Sequence, residues 1–133
     1  MEKVKHFLEQ HHAITAMDEF ELITVEEGHT LFKTRVKESA LNPYGKAHGG
    51  YLYTLCDSAS GLTVCTFQKD SVTLQANINY IRPGNLDDEL QVETRTIHHG
   101  STTLINEVKI TNQWNKLVAN GTFTMYIVNS EDK

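Results

Sequence analysis

The sequence has little of what most restricts a chain. It holds two cysteines and two prolines in 133 residues, and nowhere do five lysines or arginines cluster. Two cysteines do not make a disulfide framework. Cys56 and Cys65 lie nine positions apart; on one helix that is about 13.5 Å along the axis and roughly half a turn around it, too far for a bridge. Free thiols point to the cytoplasm, as does an N-terminal MEKVKHFLEQHHAITAM without the apolar core of a signal peptide. Twelve Lys+Arg stand against 17 Asp+Glu, a formal net charge of −5. That balance argues against a nucleic-acid partner, which needs a basic face to gather phosphates. No H-E-x-x-H or C-x-x-C is present, and the paired histidines His11-His12 and His98-His99 point different ways along any regular element. Neither a metal nor a resident cofactor is expected.

What is there suits one globular domain over 1–133, at 39% hydrophobic and 22% charged. A short amphipathic helix is expected at 2–12, within an N-terminal segment 1–15, with Val4, Phe7, Leu8 and His11 on one side. Alternating runs at 19–26 and 30–37, joined at Glu27-Gly28-His29, read as a hairpin. A loop set by Pro43 and Gly45 follows. Further strands are expected at 72–81, 89–98, 102–112 and 117–128, the four forming an antiparallel meander. In 72–81 the residues Val72, Leu74, Ala76, Ile78 and Tyr80 alternate with polar neighbours, a period of two that puts Thr73 on the polar face.

Residues 49–68, GGYLYTLCDSASGLTVCTFQ, carry one charge, Asp57, and apolar residues at helical spacing. Asp57, three threonines and two serines make the stretch too polar to span a membrane. It reads as a long helix, buried on most sides and wrapped by a curved antiparallel sheet of about six strands, an α+β fold.

A carboxylate inside a buried helix is costly unless it is partnered or used. Asp57 could cap a helix that begins there, with YLYTLC before it as a strand. It could be a structural hydrogen-bonding group. Or it could be a catalytic base or nucleophile. The residues upstream favour the last of these. Asn42-Pro43-Tyr44-Gly45-Lys46-Ala47-His48-Gly49-Gly50 places a polar loop and two glycines at the helix N-terminus, where unpaired N–H groups and the positive dipole end stabilise an oxyanion. Gly49 and Asp57 are about 12 Å apart along such a helix. A nucleophile and an oxyanion donor must both lie about 3 Å from the reacting atoms. If both act, Asp57 must meet Gly49 of a second copy across a two-fold axis.

The stretch N-P-Y-G-K-A-H-G-G followed by Asp57, with TLQANINYIRPG (73–84), HHGSTTLINEVKI (98–110) and KLVANGTFTMYIV (116–128), resembles the hotdog-fold acyl-CoA thioesterases of the PaaI-like, phenylacetyl-CoA thioesterase branch. The resemblance covers all but roughly the first fifteen residues. It implies hydrolysis of an aryl- or fatty-acyl-CoA, with coenzyme A as part of the substrate, no metal, and a homodimer often paired into a homotetramer. By the same resemblance Asp57 is the general base or nucleophile and the Gly49 N–H the oxyanion donor. Asn42 holds the attacking water or the thioester, His48 orients the loop, and Thr73 positions water. Substrate contacts would come from Gly50, Tyr51, Tyr53, Arg82, His99, Gly100 and Ser101, with Leu55 and Phe67 further candidates for the acyl pocket and Lys46 for the phosphates. Two departures stand out. Ser101-Thr102 follow His98-His99-Gly100 where the family often has arginine, and Leu86-Asp87-Asp88-Glu89 is acidic beside a polyanionic ligand. An enoyl-thioester hydratase or dehydratase, and a non-catalytic acyl-CoA-binding protein, are the alternatives.

Overall fold

His48 starts the long helix. Its backbone is extended, and its Nδ1 accepts the Gly50 N–H at 2.9 Å, so the side chain caps the first turn. The computed structural model describes residues 1–10 and 19–128, and the helix it contains, α2, runs Gly49–Cys65. Asp57 is therefore mid-helix and caps nothing. Beyond Thr66 the chain leaves the helix through Gln68, whose φ of 59° lies in the left-handed region.

Before α2 come α1 (Glu2–Glu9), β1 (Phe20–Glu26) and β2 (His29–Arg35). After it come β3 (Asp70–Tyr80), β4 (Glu89–His99), β5 (Thr103–Thr111) and β6 (Leu117–Val128). The expected N-terminal helix is shorter than 2–12, and His11 with the remainder of that segment to residue 15 lies outside the described residues. The β1–β2 turn uses Gly28 at φ 77°, a conformation only glycine adopts freely. In β1 a bulge between Leu22 and Thr24 lets Phe20, Leu22 and Val25 all pack on the core while Ile23 faces out.

The six strands form one antiparallel sheet in the order β1-β2-β4-β5-β6-β3. The expected four-strand meander is thus corrected. Only β4, β5 and β6 follow one another, while β3 crosses to the far edge and pairs with β6. One side of α2 lies in the hollow of the sheet, with Leu55, Cys56, Ala59 and Leu62 fully buried against Phe32, Val92, Val108 and Phe123 in one core. Burying a single such aliphatic or aromatic side chain contributes about 1.5–3 kcal/mol. Buried polar groups fix the helix in register. Thr30 and Thr63 share a hydroxyl hydrogen bond of 2.7 Å, and Asn106 Nδ2 donates to the Ser60 carbonyl and hydroxyl. The sheet leaves the opposite side of α2 uncovered, and α1 reaches part of it, with Phe7 on Gly61. Gly50, Thr54, Asp57 and Gly61, at helical spacing, remain partly or fully exposed. Among the described residues no helix is long and apolar enough to cross a membrane.

Candidate active site

The uncovered stripe of α2 carries Asp57, and β3 supplies its partner. Thr73 Oγ1 donates to Asp57 Oδ1 at 2.5 Å. The alternation of 72–81 would have turned Thr73 away from the helix, together with its polar neighbours. A bulge between Thr73 and Gln75 reverses this. Thr73 pairs with buried Met125 and faces the helix, whereas Ala76 and Ile78 regain the helix side only beyond the bulge. Val72 and Leu74 consequently face outward, 54% and 62% exposed. Burial, reinforced by the Asp57 charge, raises the phenol of Tyr53 and pushes the Cys56 thiol up to about 12. Cys56 is thus a protonated core residue and not a competing nucleophile.

At the N-terminal end of α2 the loop is built by Asn42. Its Oδ1 accepts the Tyr44 and Lys46 N–H groups at 2.9 and 3.1 Å, and its backbone bonds Lys46 and Gly45. Gly45 takes the left-handed φ of 78° that closes this turn. The side-chain carbonyl of Asn42 is therefore engaged in the loop, leaving the Nδ2 amide as the group that could meet a ligand. Among the described residues, the helix N-terminal N–H of Gly50 goes to His48, those of Tyr51 and Leu52 go to the His48 carbonyl, and that of Gly49 has no acceptor. Tyr80 Oη donates to the Gly49 carbonyl at 2.9 Å and its ring packs against Gly49. A groove of about 440 Å³ opens here, bordered by Asn42, Lys46, Gly49, Leu52, Tyr80 and Arg82. One arm of Arg82 is tied to the Leu117 carbonyl at 2.9 Å.

The remaining sequence-predicted residues are spread out. His99, Gly100 and Ser101 lie at the β4–β5 turn, where the His99 ring lies 4.1 Å from that of Phe67 and is tilted 44° to it, beyond the C-terminal end of α2. Gly49, at the other end of α2, is about 24 Å of helical rise away. In one chain, then, this turn and the Gly49 groove do not form one site. Leu55 belongs to the core, and the Phe67 ring lies against that of His99. Tyr53 packs on Phe123, 5.5 Å between ring centres, one turn before Asp57, and Tyr51 is half-buried at the first turn. Asp88 is no loose surface charge. It is buried and accepts from Asn85 N and Gln113 Nε2. Tyr80 was not singled out as a site residue; its place at the end of an apolar alternation disguised it as core.

A carboxylate held by a hydroxyl, and an unpaired N–H at a glycine-rich helix start, are groups used in acyl transfer. The thioesterase superfamily pattern matches residues 44–119, more than half of the chain. The protein belongs to that family. It has the hotdog fold of the PaaI-like branch and is a thioester hydrolase. A hypothetical thioesterase protein of Streptococcus pneumoniae solved with coenzyme A is 46% identical to it, with 84% of this chain and 90% of that one covered and a TM-score of 0.83. A Streptococcus mutans protein bound to acetyl-CoA is 44% identical over the same shares, at a TM-score of 0.82. The acyl-coenzyme A thioesterase PaaI of Escherichia coli is 29% identical over 99 residues, 74% of this chain and 71% of that protein. Two more structures of the pneumococcal protein are of alanine variants, one at an aspartate and one at a threonine sixteen positions later.

Proposed function

We propose that this hotdog protein hydrolyses acyl-CoA thioesters at sites completed by a second copy of the chain. Asp57, held by Thr73, is the general base or nucleophile, and the partner subunit's Gly49 donates its N–H to the oxyanion. The observation that carries the reading is the 2.5 Å bond from Thr73 to Asp57 on an otherwise uncovered helix face. Support also comes from the pneumococcal variants, whose aspartate and threonine have the sixteen-residue spacing of Asp57 and Thr73. Coenzyme A and acetyl-CoA in the streptococcal structures indicate the substrate class.

In the base route, Asp57 takes a proton from water as the oxygen adds to the thioester carbonyl. The oxyanion forms against the Gly49 N–H and the dipole of α2. Collapse breaks the C–S bond, and the carboxylic acid of Asp57 returns its proton to the leaving thiolate of coenzyme A. In the nucleophile route, Asp57 adds to the carbonyl and the C–S bond breaks to expel the coenzyme A thiolate, leaving an acyl anhydride; water then opens it to the free acid and the Asp57 carboxylate, and the proton released goes to the thiolate. Thr73 serves either route by holding one carboxylate oxygen, which leaves the other to act. Asn42 Nδ2 borders the same groove as Gly49 and is suited to hold the water or the thioester. His48, as the cap, keeps Gly50 N–H occupied and Gly49 N–H available. Tyr80 braces the Gly49 peptide. Lys46 and Arg82 in that groove, and His99, Gly100 and Ser101 at the far turn, are the candidate contacts for the nucleotide end.

Two halves of a site on one helix require the dimer. β3 is an unpaired edge of eleven residues with Val72, Leu74, Tyr80 and Ile81 exposed beside it. An edge of that length and character calls for a partner. Thiol release from a panel of acyl-CoAs, wild type beside Asp57→Asn, tests the reading. The variant should lose at least about a hundredfold in kcat, the scale of a missing base or nucleophile. Equal rates would overturn the mechanism, and binding without turnover in the wild type would make the protein a carrier or sensor.

A further inference from the structure

A second cavity, of about 380 Å³, lies one helical turn beyond Asp57, bordered by Gly61 on α2 and Ser71 on β3. The geometry is that of a ladder. Asp57 and Thr73 form one rung. Gly61, one helical turn on, and Ser71, two residues back along β3, form the next, about 6–7 Å further along. Gly61, Ser71, Cys65 and Val128 border the cavity, and Phe7 of α1 closes it. A Cβ on Gly61 would lie 3.1 Å from Phe7 Cε2 and 3.2 Å from Cζ, so the ring sits directly on the glycine. A larger residue at 61 would require the ring to shift by a few tenths of an ångström. α1 itself is fastened by buried Val4 and by an ion pair of 2.6 Å between Lys3 and Asp70.

From this arrangement, and resting on the thioesterase reading, we infer that the acyl chain enters this cavity and that Phe7, seated on Gly61, sets its length limit. The acyl carbon must lie at Asp57, and the groove beside Gly49, with its lysine and arginine, suits the polar pantetheine and phosphates instead. Phe7, Gly61, Cys65, Val72 and Val128 give the cavity apolar walls, while Ser71 and Asp70, the latter paired with Lys3, border the rest. The Cys65 thiol is pushed up to about 11, chiefly by burial. It lines the space as a neutral group.

The test is kcat/KM for straight-chain acyl-CoAs from acetyl to dodecanoyl. Each methylene that is buried should raise it by about fourfold until the chain meets Phe7. Phe7→Ala should move that break point to longer chains and raise the ratio of long-chain to short-chain kcat/KM by at least about tenfold, two methylenes' worth. Phe7→Trp should move the break point to shorter chains. If Phe7→Ala fails to fold, Phe7→Leu and Phe7→Trp carry the same comparison. A wild type that hydrolyses acyl-CoAs while the folded Phe7 variants keep its chain-length profile would overturn this inference alone. A wild type that releases no thiol from any of them would overturn the reading beneath it as well.

Discussion

Thr73 is the residue on which the site turns. A threonine on a half-buried strand is common, and alternation assigns it to the polar face; the bulge at Leu74 instead delivers its hydroxyl to Asp57. In the proposed mechanism the bond orients the carboxylate and leaves the other oxygen for water or the thioester carbon. Thr73→Val keeps the shape and removes the donor. Its kcat should fall by about tenfold to a hundredfold with KM little changed, since a lost hydrogen bond to a charged group is worth about 1.5–3 kcal/mol. Steady-state thiol release checks this, and Thr73→Ser should restore most of the rate. Asp57 itself was legible in the sequence as a lone charge in an apolar helix. Its partner was legible only through family resemblance, because no periodicity announces a bulge.

Among the elements, α2 and β3 depend on each other. α2 could be read in the sequence from its length, its apolar spacing and the glycines at its start. The strand boundaries also followed from turn residues such as Arg82-Pro83-Gly84-Asn85. What could not be read was which strands neighbour one another. β3 lies against β6, and the approach is close enough that a Cβ on Gly121 would overlap the Asn77 carbonyl oxygen. Asn120-Gly121-Thr122 is thus a point where two strands nearly touch, and glycine is required by proximity, not by a special φ. Gly121→Ala should destabilise the protein by about 1–3 kcal/mol, the range for an overpacked site. Thermal unfolding measures that loss. Hydrolysis at a temperature where the variant is folded should fall as well, because the strand displaced is the one that carries Thr73.

At the scale of the whole molecule, half of α2 and one edge of the sheet are unfinished in a single chain. A sheet that covers one side of a helix leaves Gly50, Thr54 and Asp57 facing out, and β3 exposes Val72 and Leu74 at the sheet edge. Sedimentation at micromolar concentration should therefore find a dimer or a tetramer built from dimers. Placing aspartate at both Val72 and Leu74 should shift the protein to monomer while circular dichroism stays native. Hydrolysis should then drop by at least about a hundredfold, as expected when an oxyanion donor is removed. A fully active monomer would contradict a site shared between chains.

By itself the sequence determined the inventory: an α+β fold, a nearly uncharged helix with Asp57 in its middle, and a loop ending in two glycines at its start. Those features are local. Helical spacing, turn chemistry and the cost of an isolated carboxylate act within a few residues, so they can be read along the chain. Tertiary structure alone decided that β3 lies at the far edge, that a bulge turns Thr73 onto Asp57, and that Phe7 closes a cavity over Gly61. Each of those joins residues distant in sequence through sheet order and side-chain packing, and neither leaves a periodic signal in the residues that it brings together.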